Sequence, residues 1–319
     1  MTENLWQPSA SIEVLKLRAA LLQQVRDFFA ARAVLEVETP LASRAAITEP
    51  NLDSAEVRLP GIATPFYLHT SPEFFMKRLL AAGSGDIWQA CKVFRGAEHG
   101  RLHNPEFTMI EWYRLGFDHH ALMDEVAALL RTLLPELEEG DERLSYAEAF
   151  RRYAGLDPFE AETAELAALV QGFGLDPAGL DRDALLDAIA SHKVYPQLGH
   201  GRVAFVHAFP ASQAALARLD DDDPRCARRF EAFVAGMELA NGFHELLDAQ
   251  EQRRRFMLEN ERRRERGLPV MPVDEHLLAA LEAGMPDCAG VALGFDRVVM
   301  LAAGRDALHE VISFDFDRI

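Results

Sequence analysis

Between Ile87 and Tyr113, two apolar, β-prone runs flank a polar loop, and no other stretch narrows the possible folds as much. Ile87 to Phe94 reads as a strand leading into Arg95. A loop carrying His99, Arg101 and His103 follows, and a second strand begins at Phe107 and ends at Tyr113. This is a strand, loop, strand unit with its chemistry at the turn. An arginine at a strand end is held rigidly enough to grip a phosphate through two parallel hydrogen bonds. Phe107, leaving the loop, can offer its ring face to a base. Arginine, asparagine and an aromatic around one loop suggest a nucleotide, although the loop taken alone is better described as a hairpin with a solvated basic turn.

Composition removes several other classes. With 319 residues and 49% hydrophobic content, the chain can bury a sizeable core. Its net charge is −18, from 33 Lys+Arg against 51 Asp+Glu, so tight binding along a phosphate backbone would require a segregated basic face. Cys91, Cys226 and Cys288 lie far apart with no CxxC spacing, which points to neither a zinc site nor a disulfide framework and fits a reducing cytoplasm. The start, MTENLWQPSAS, lacks a basic segment followed by an apolar one, and no run of about 18 apolar residues occurs. Neither secretion nor membrane spanning is expected.

Taken in order, Ser11 is placed to cap a helix whose apolar positions Ile12, Leu15, Ala19, Leu22, Val25 and Phe29 recur every three or four residues. VLEVETP then reads as a short edge strand closed by Pro40. An irregular segment runs to Pro65. FYLHTSPEFFMKRLL joins a strand to a helix, with Ser71 capping, Pro72 at the first helical position and Glu73 in the first turn. Glu73 is there either because the helix dipole favours it or as a ligand. Asp118 to Leu134 reads as a helix, and 141 to 193 as short, Ala-rich helical pieces broken by Gly155, Pro158, Gly172 and Pro177.

RVAFVHAFPA is a buried strand, DDDP a turn or helix start, and Phe230 to Leu239 a helix or strand. ELANGFHELLDA follows, in which Glu238 and Glu245 are separated by what reads as a Gly-containing polar hairpin. Carboxylates brought together need a cation, either Mg²⁺ on a nucleotide or a substrate amine; separately they are ordinary surface acids. The helix from Gln250 to Gly267 carries seven arginines interrupted by glutamates, the pattern of a solvated helix with paired charges or of a docking face for an acidic partner. Near the C-terminus, Gly290 and Gly294 lie on a strand that allows close ligand approach. Asp296 and Arg297 then open an apolar helix, which makes Arg297 a second candidate for a phosphate.

An edge strand ending in proline, a strand-loop-strand with FR and HNPEF, and a Gly-rich strand leading to GFDR together resemble motifs 1, 2 and 3 of class II aminoacyl-tRNA synthetases. SPEFFMKRLL, RLHNPEFTMIEWY, ELANGFHEL and GVALGFDR are similar to the lysyl-tRNA synthetase catalytic domain. The resemblance covers about residues 12 to 319 and implies an α+β fold, an antiparallel β-sheet flanked by helices. Motif 1 would fall at about 12–40, motif 2 at about 87–113 and motif 3 at about 288–304, with a small helical insertion at about 141–200. Motif 1 begins so early that an anticodon-binding domain is not expected, nor is recognition of a tRNA anticodon. The architecture resembles stand-alone lysyl-tRNA synthetase paralogues that ligate lysine, preferably (R)-β-lysine, to a lysine of translation elongation factor P. Motif 1 in such folds implies a homodimer.

The resemblance assigns roles residue by residue. Arg95 would clasp the α-phosphate of ATP and Arg297 the γ-phosphate, with His103 near the latter; Asn104 and Phe107 would hold the adenine. Glu238 and the backbone at Leu239 would bind Mg²⁺ and ATP, Glu245 would share the metal or the substrate amine, and Gly294 would let the nucleotide approach. Ser71, Pro72, Glu73, Glu111, Tyr113 and Asn241 would surround the lysine-like substrate. Two departures stand out. Ala292 replaces a glycine, and its methyl would crowd an α-amino group at a cost of about 1 to 3 kcal/mol. Gly96-Ala97 replaces Asn-Glu after FR, so that Glu98, one position late, is expected to substitute through a loop shift. The implied chemistry is adenylate formation followed by amide formation on a protein. A paralogue that makes a free amide or dipeptide, or a silent regulator binding lysine or a nucleotide, are the alternatives.

Overall fold

The computed structural model describes residues 6–96 and 99–319. The chain divides into two units, Met1–Gly116 with Thr132–Leu134 and Leu246–Ile319, and Phe117–Arg131 with Pro135–Glu245.

The first unit begins with α1 (Ile12–Ala30), where Ser11 accepts the Val14 amide and the apolar stripe buries Val14, Leu21, Val25, Phe28 and Phe29. Next come β1 (Leu35–Glu36), β2 (Ala42–Ser43), β3 (Glu56–Val57) and β4 (Phe66–Leu68), then α2 (Glu73–Ala81), β5 (Ile87–Phe94) and β6 (Glu106–Leu115). β1 is the expected edge strand, reduced to two ladder residues that pair parallel with β5. Pro72 precedes the first residue of α2 instead of occupying it. Phe29 stacks on Trp88 at 4.9 Å and meets Trp112 edge-on at 5.3 Å, fastening α1 to β5 and β6. Each such buried aromatic contributes about 2 to 3 kcal/mol of burial.

The second unit holds α3 (His119–Leu133), β7 (Glu142–Ser145), α4 (Tyr146–Tyr153), α5 (Thr163–Gly172), α6 (Arg182–Ile189), β8 (Ala204–Pro210), β9 (Cys226–Val234) and β10 (Met237–His244). Segment 141–200 is therefore not wholly helical: β7 pairs parallel with β8 before α4 starts. Its four half-buried residues are too short and too polar to show a strand pattern. Ser145 ends β7 and caps α4 through a capping box with Glu148. Strand order is β10-β9-β8-β7, and Tyr146, Phe150, Leu185, Ile189, Phe209 and Phe233 form part of its core.

The chain returns to the first unit with α7 (Ala249–Glu265), α8 (Glu275–Gly284), β11 (Cys288–Gly294) and α9 (Phe295–Ala302). β11 pairs antiparallel with β6, giving the order β1-β5-β6-β11. On α7, Arg254 and Arg255 pair with Glu251 within the helix, as the charge pattern predicts, while Arg253 pairs with Glu275 of the following helix. Arg263 departs from that pattern, being fully buried and donating to the carbonyls of Pro269, Glu49 and Leu52. No helix among the described residues is long and apolar enough to cross a membrane.

Candidate active site

In the first unit, β5 and β6 pair without a break from Ile87↔Tyr113 to Phe94↔Glu106. Side chains alternate between faces along such a ladder, so Phe107, Met109, Glu111 and Tyr113 share one face. β11 continues that face, with Gly294 opposite Met109, Ala292 opposite Glu111 and Gly290 opposite Tyr113. Arg95 leaves β5 at the Phe107 end. Its N–H donates to the Pro105 carbonyl at 2.9 Å, and its guanidinium lies 5.1 Å from the Phe107 ring centroid. The strand end thus fixes an arginine over an aromatic, the geometry predicted for a phosphate and a base.

The loop is held from both sides. Gly100 and His103 exchange backbone hydrogen bonds, and the Gly96 amide donates to the Asp53 carbonyl at 3.0 Å. Arg297, in the first turn of α9, donates through Nη2 to His103 Nε2 at 2.9 Å. Because arginine is always protonated, that ring nitrogen is the acceptor and His103 carries its proton on Nδ1. The two residues expected near the γ-phosphate therefore touch. Asn104 is buried, with Nδ2 on the Glu106 carbonyl at 2.6 Å and Oδ1 accepting the Phe316 amide at 3.0 Å, so its side chain ties the loop to the C-terminal turn. Ala97 and Glu98 lie outside the described residues.

At the other end of the same face, Glu111 is 2% exposed. Ser71 Oγ donates to its Oε2 at 2.7 Å and Tyr113 Oη to its Oε1 at 2.8 Å. Ser71 Oγ also accepts the Glu73 amide at 3.0 Å, so one hydroxyl caps α2 and orients Glu111. Both hydroxyls donate, so the buried carboxylate is oriented as an acceptor. Glu73 meets Lys77 Nζ at 2.6 Å, and Lys77 is 1% exposed. Sequence reading missed Lys77, although its i,i+4 spacing from Glu73 was visible.

In the second unit, the hairpin turn is Ala235-Gly236, whose φ values of 51° and 73° are both positive, as a two-residue turn of this hand requires. Asn241-Gly242 lies inside β10, so no hairpin separates Glu238 from Glu245. Between Glu238 and Ala240 the register with β9 shifts, leaving Leu239 as the extra residue of a bulge. Glu238 opposes Phe233, Asn241 opposes Glu231 and Phe243 opposes Arg229. The bulge therefore puts Glu238 and Asn241, three apart, on the same face as Glu231 and Arg229. Asn241 Nδ2 lies 3.3 Å and Arg229 Nη2 2.5 Å from Glu231 Oε1. Burial first, then the Glu238 charge, pushes Glu231 up to about 8, against the pull of Arg229.

Glu231 is thus a buried acid beside the candidate residues that sequence reading missed; its signal was a lone acid inside the apolar FEAFV. Glu245 is 1% exposed, and its carbonyl accepts from Arg218 Nε at 3.1 Å. Among the described residues no three His, Cys, Asp or Glu side chains form a ready-made metal cage. Two carboxylates on one face still fit Mg²⁺, which is commonly held by one or two carboxylates together with substrate phosphates.

Comparison with known proteins identifies the family. The family model of class II tRNA synthetases (D, K and N) matches residues 5–318. A Vibrio cholerae protein named "Elongation factor P--(R)-beta-lysine ligase" is 53% identical, with all of both chains covered. Proteins of the same name from Pseudoalteromonas translucida and Salmonella arizonae are 52% and 50% identical, covering 100% and 98% of each chain.

Proposed function

We propose a function from the premise that the chain belongs to the class II tRNA synthetase family (D, K and N). The protein is an ATP-dependent ligase that activates (R)-β-lysine, or lysine, as an aminoacyl-adenylate and transfers it to a lysine side chain of translation elongation factor P, as the names of its relatives suggest. One face of β6 supports this most directly. Phe107, with Arg95 above it, suits a base and a phosphate, while Glu111 and Tyr113 suit an ammonium. The four-residue step from Phe107 to Glu111 spans about 13 Å of rigid strand.

In the first step a substrate carboxylate oxygen attacks the α-phosphorus of ATP, forming a mixed anhydride and releasing pyrophosphate. In the second, the neutral amine of the target lysine attacks the anhydride carbonyl, an amide forms, AMP leaves and the amine proton passes to solvent. Arg95 and Arg297 neutralise the charge that develops on the phosphates. His103, neutral at Nε2, holds the Arg297 fork, and Gly294 lets the nucleotide come close. Phe107 stacks on the adenine, and Asn104 holds the loop that frames it. Glu238, with the backbone at Leu239 and with Glu245 sharing the metal, would hold Mg²⁺, which would supply further charge neutralisation to the triphosphate. Glu73, Glu111, Tyr113, Asn241 and Glu245 receive the substrate amines, with Ser71 and Pro72 shaping the start of α2. No side chain serves as a covalent nucleophile; positioning and electrostatics supply the rate.

Ala292 faces the strand position of Glu111. Its methyl narrows the space beside the amine subsite and favours an amine one carbon further along the substrate. The protein acts as a homodimer through motif 1; sedimentation as a 35.6 kDa particle would contradict that. Pyrophosphate exchange measured across lysine isomers tests the activity. Exchange is expected to be stronger with (R)-β-lysine than with α-lysine, and exchange with neither would remove the proposal. Intact-mass measurement on co-incubated elongation factor P should then show one added β-lysine.

A further inference from the structure

Arg18 sits on α1 and has no role above, yet it joins three segments of the first unit. Its Nη1 lies 2.5 Å from Asp296 Oδ1, and its Nη2 donates to Thr108 Oγ1 at 2.7 Å. Asp296 Oδ2 in turn accepts the Thr108 N–H at 2.8 Å, so the three residues close a ring. Asp296 is 1% exposed, and the Arg18 guanidinium lies 5.0 Å from the centroid of the Phe295 ring. Charged donors and acceptors shielded from water in this way hold a tighter geometry than a solvated pair.

The two residues that Arg18 grips are each the chain neighbour of a nucleotide residue. Thr108 follows Phe107 on β6, and by strand alternation it points to the opposite face. Asp296 precedes Arg297 at the start of α9. The ring thus pins the back of β6 to the first turn of α9. In doing so it sets the distance between the aromatic that stacks the base and the arginine that meets the terminal phosphate, without touching either ligand group.

We propose that Arg18 is a positioning residue for ATP, acting through Thr108 and Asp296 to hold Phe107 and Arg297 at one fixed separation. This rests on the assignment of Phe107 and Arg297 to the nucleotide. Misplacing a binding group by about 1 Å from a remote position can cost on the order of 100-fold. Loss of the clamp should therefore fall on ATP and spare the amino acid, whose contacts lie toward the other end of β6.

The test is pyrophosphate exchange by the full chain, with ATP and (R)-β-lysine varied separately, for Arg18→Met, Arg18→Lys and Thr108→Val, each first checked for a cooperative melt. Arg18→Met is expected to raise KM for ATP about tenfold or more, with KM for the amino acid within about twofold. Arg18→Lys, which keeps the charge but loses the fork, should recover part of the loss. Thr108→Val removes only the hydroxyl and should raise KM for ATP by a smaller factor; if Arg18→Met does not fold, this variant decides. Folded variants whose ATP KM is unchanged, or whose two KM values rise together, overturn the clamp while wild-type exchange persists. Absence of exchange in the wild type would instead overturn the functional reading and the clamp with it.

Discussion

The β5–β6 and β9–β10 ladders both carry candidate site residues, and they present them by opposite means. β5–β6 runs through eight consecutive pairs without a register shift, so simple alternation brings Phe107, Glu111 and Tyr113 to one face, and the long loop adds Arg95 and His103. β9–β10 is closed by a two-residue turn too tight to carry chemistry; its acids share a face by register, and Asn241 joins them only because the ladder breaks once, at Leu239. An unbroken strand displays what its alternation already spells out. A bulge instead recruits a residue at an odd spacing, as Asn241 joins Glu231, whose buried carboxyl also meets Arg229 on its own strand.

The largest effect expected from this contrast is on stability. Arg229→Met would strip the buried Glu231 of its cation and should cost about 3 to 5 kcal/mol in denaturant unfolding measured above pH 8, where that carboxyl is ionised; a change below about 1 kcal/mol there would mean that Glu231 stays neutral without it. Arg95→Ala should act on rate alone. Pyrophosphate exchange is expected to fall by about 10²- to 10³-fold, on the scale of losing one preorganised charge-stabilising donor, with the melting temperature unmoved. A large drop in melting temperature would make Arg95 a structural residue like Arg229.

Acid should separate the two ladders. His119 and His207 are held down to about 3 and about 4, chiefly by burial and next by His120. Rings of His119, His120, His207 and His244 lie 4.1 to 6.4 Å apart. Asp118 and Glu148 pull the other way, while Arg143 adds to the lowering at His207. With folded values below the ordinary 6.5, the unfolded chain binds these protons first, so stability is complete above pH 6.5 and drains as pH falls toward 3. The slope is at most about 1.4 kcal/mol per pH unit for each histidine. Hydrogen exchange across 204–244 should accelerate with acid before the emission of Trp88 and Trp112, both in the first ladder, changes; the reverse order would break the contrast.

Two smaller effects refine it. Ala292→Gly is expected to shift the ratio of exchange rates toward α-lysine by about 1 to 3 kcal/mol, and an unchanged ratio would remove Ala292 from specificity. Ala235→Gly should relieve an alanine at φ 51° and stabilise the hairpin by about 1 kcal/mol, as read from the urea midpoint.

Much of the first ladder was legible in the residues themselves. Ile87–Phe94 and the second strand, the α1 stripe, and the Arg95 and Arg297 positions follow from composition and period, because local alternation and caps determine them. The second ladder was not, since nothing in MELANGFHEL marks a bulge, and Asn-Gly, the stronger turn signal, misdirected the hairpin. Lys77, Glu231, Arg263 and the Arg18–Asp296 contact were also hidden. A buried charge is recognised by the partner that stabilises it, and that partner lay on another strand, on another turn of helix, or more than 200 residues away.

The Asn104–Phe316 hydrogen bond has a consequence for synthesis. Its two residues are 212 positions apart, and the Ser9–Asp315 bond spans 306. At about 5 to 20 residues per second, the strand-loop-strand that carries Arg95 leaves the ribosome roughly 10 to 40 s before the turn that fastens it. Most of the second unit, by contrast, is contiguous in the chain and can form during that wait. The nascent protein therefore completes its motif 2 loop last, and a ribosome stalled within the final residues would hold a chain whose acidic hairpin is folded while that loop still lacks its anchor.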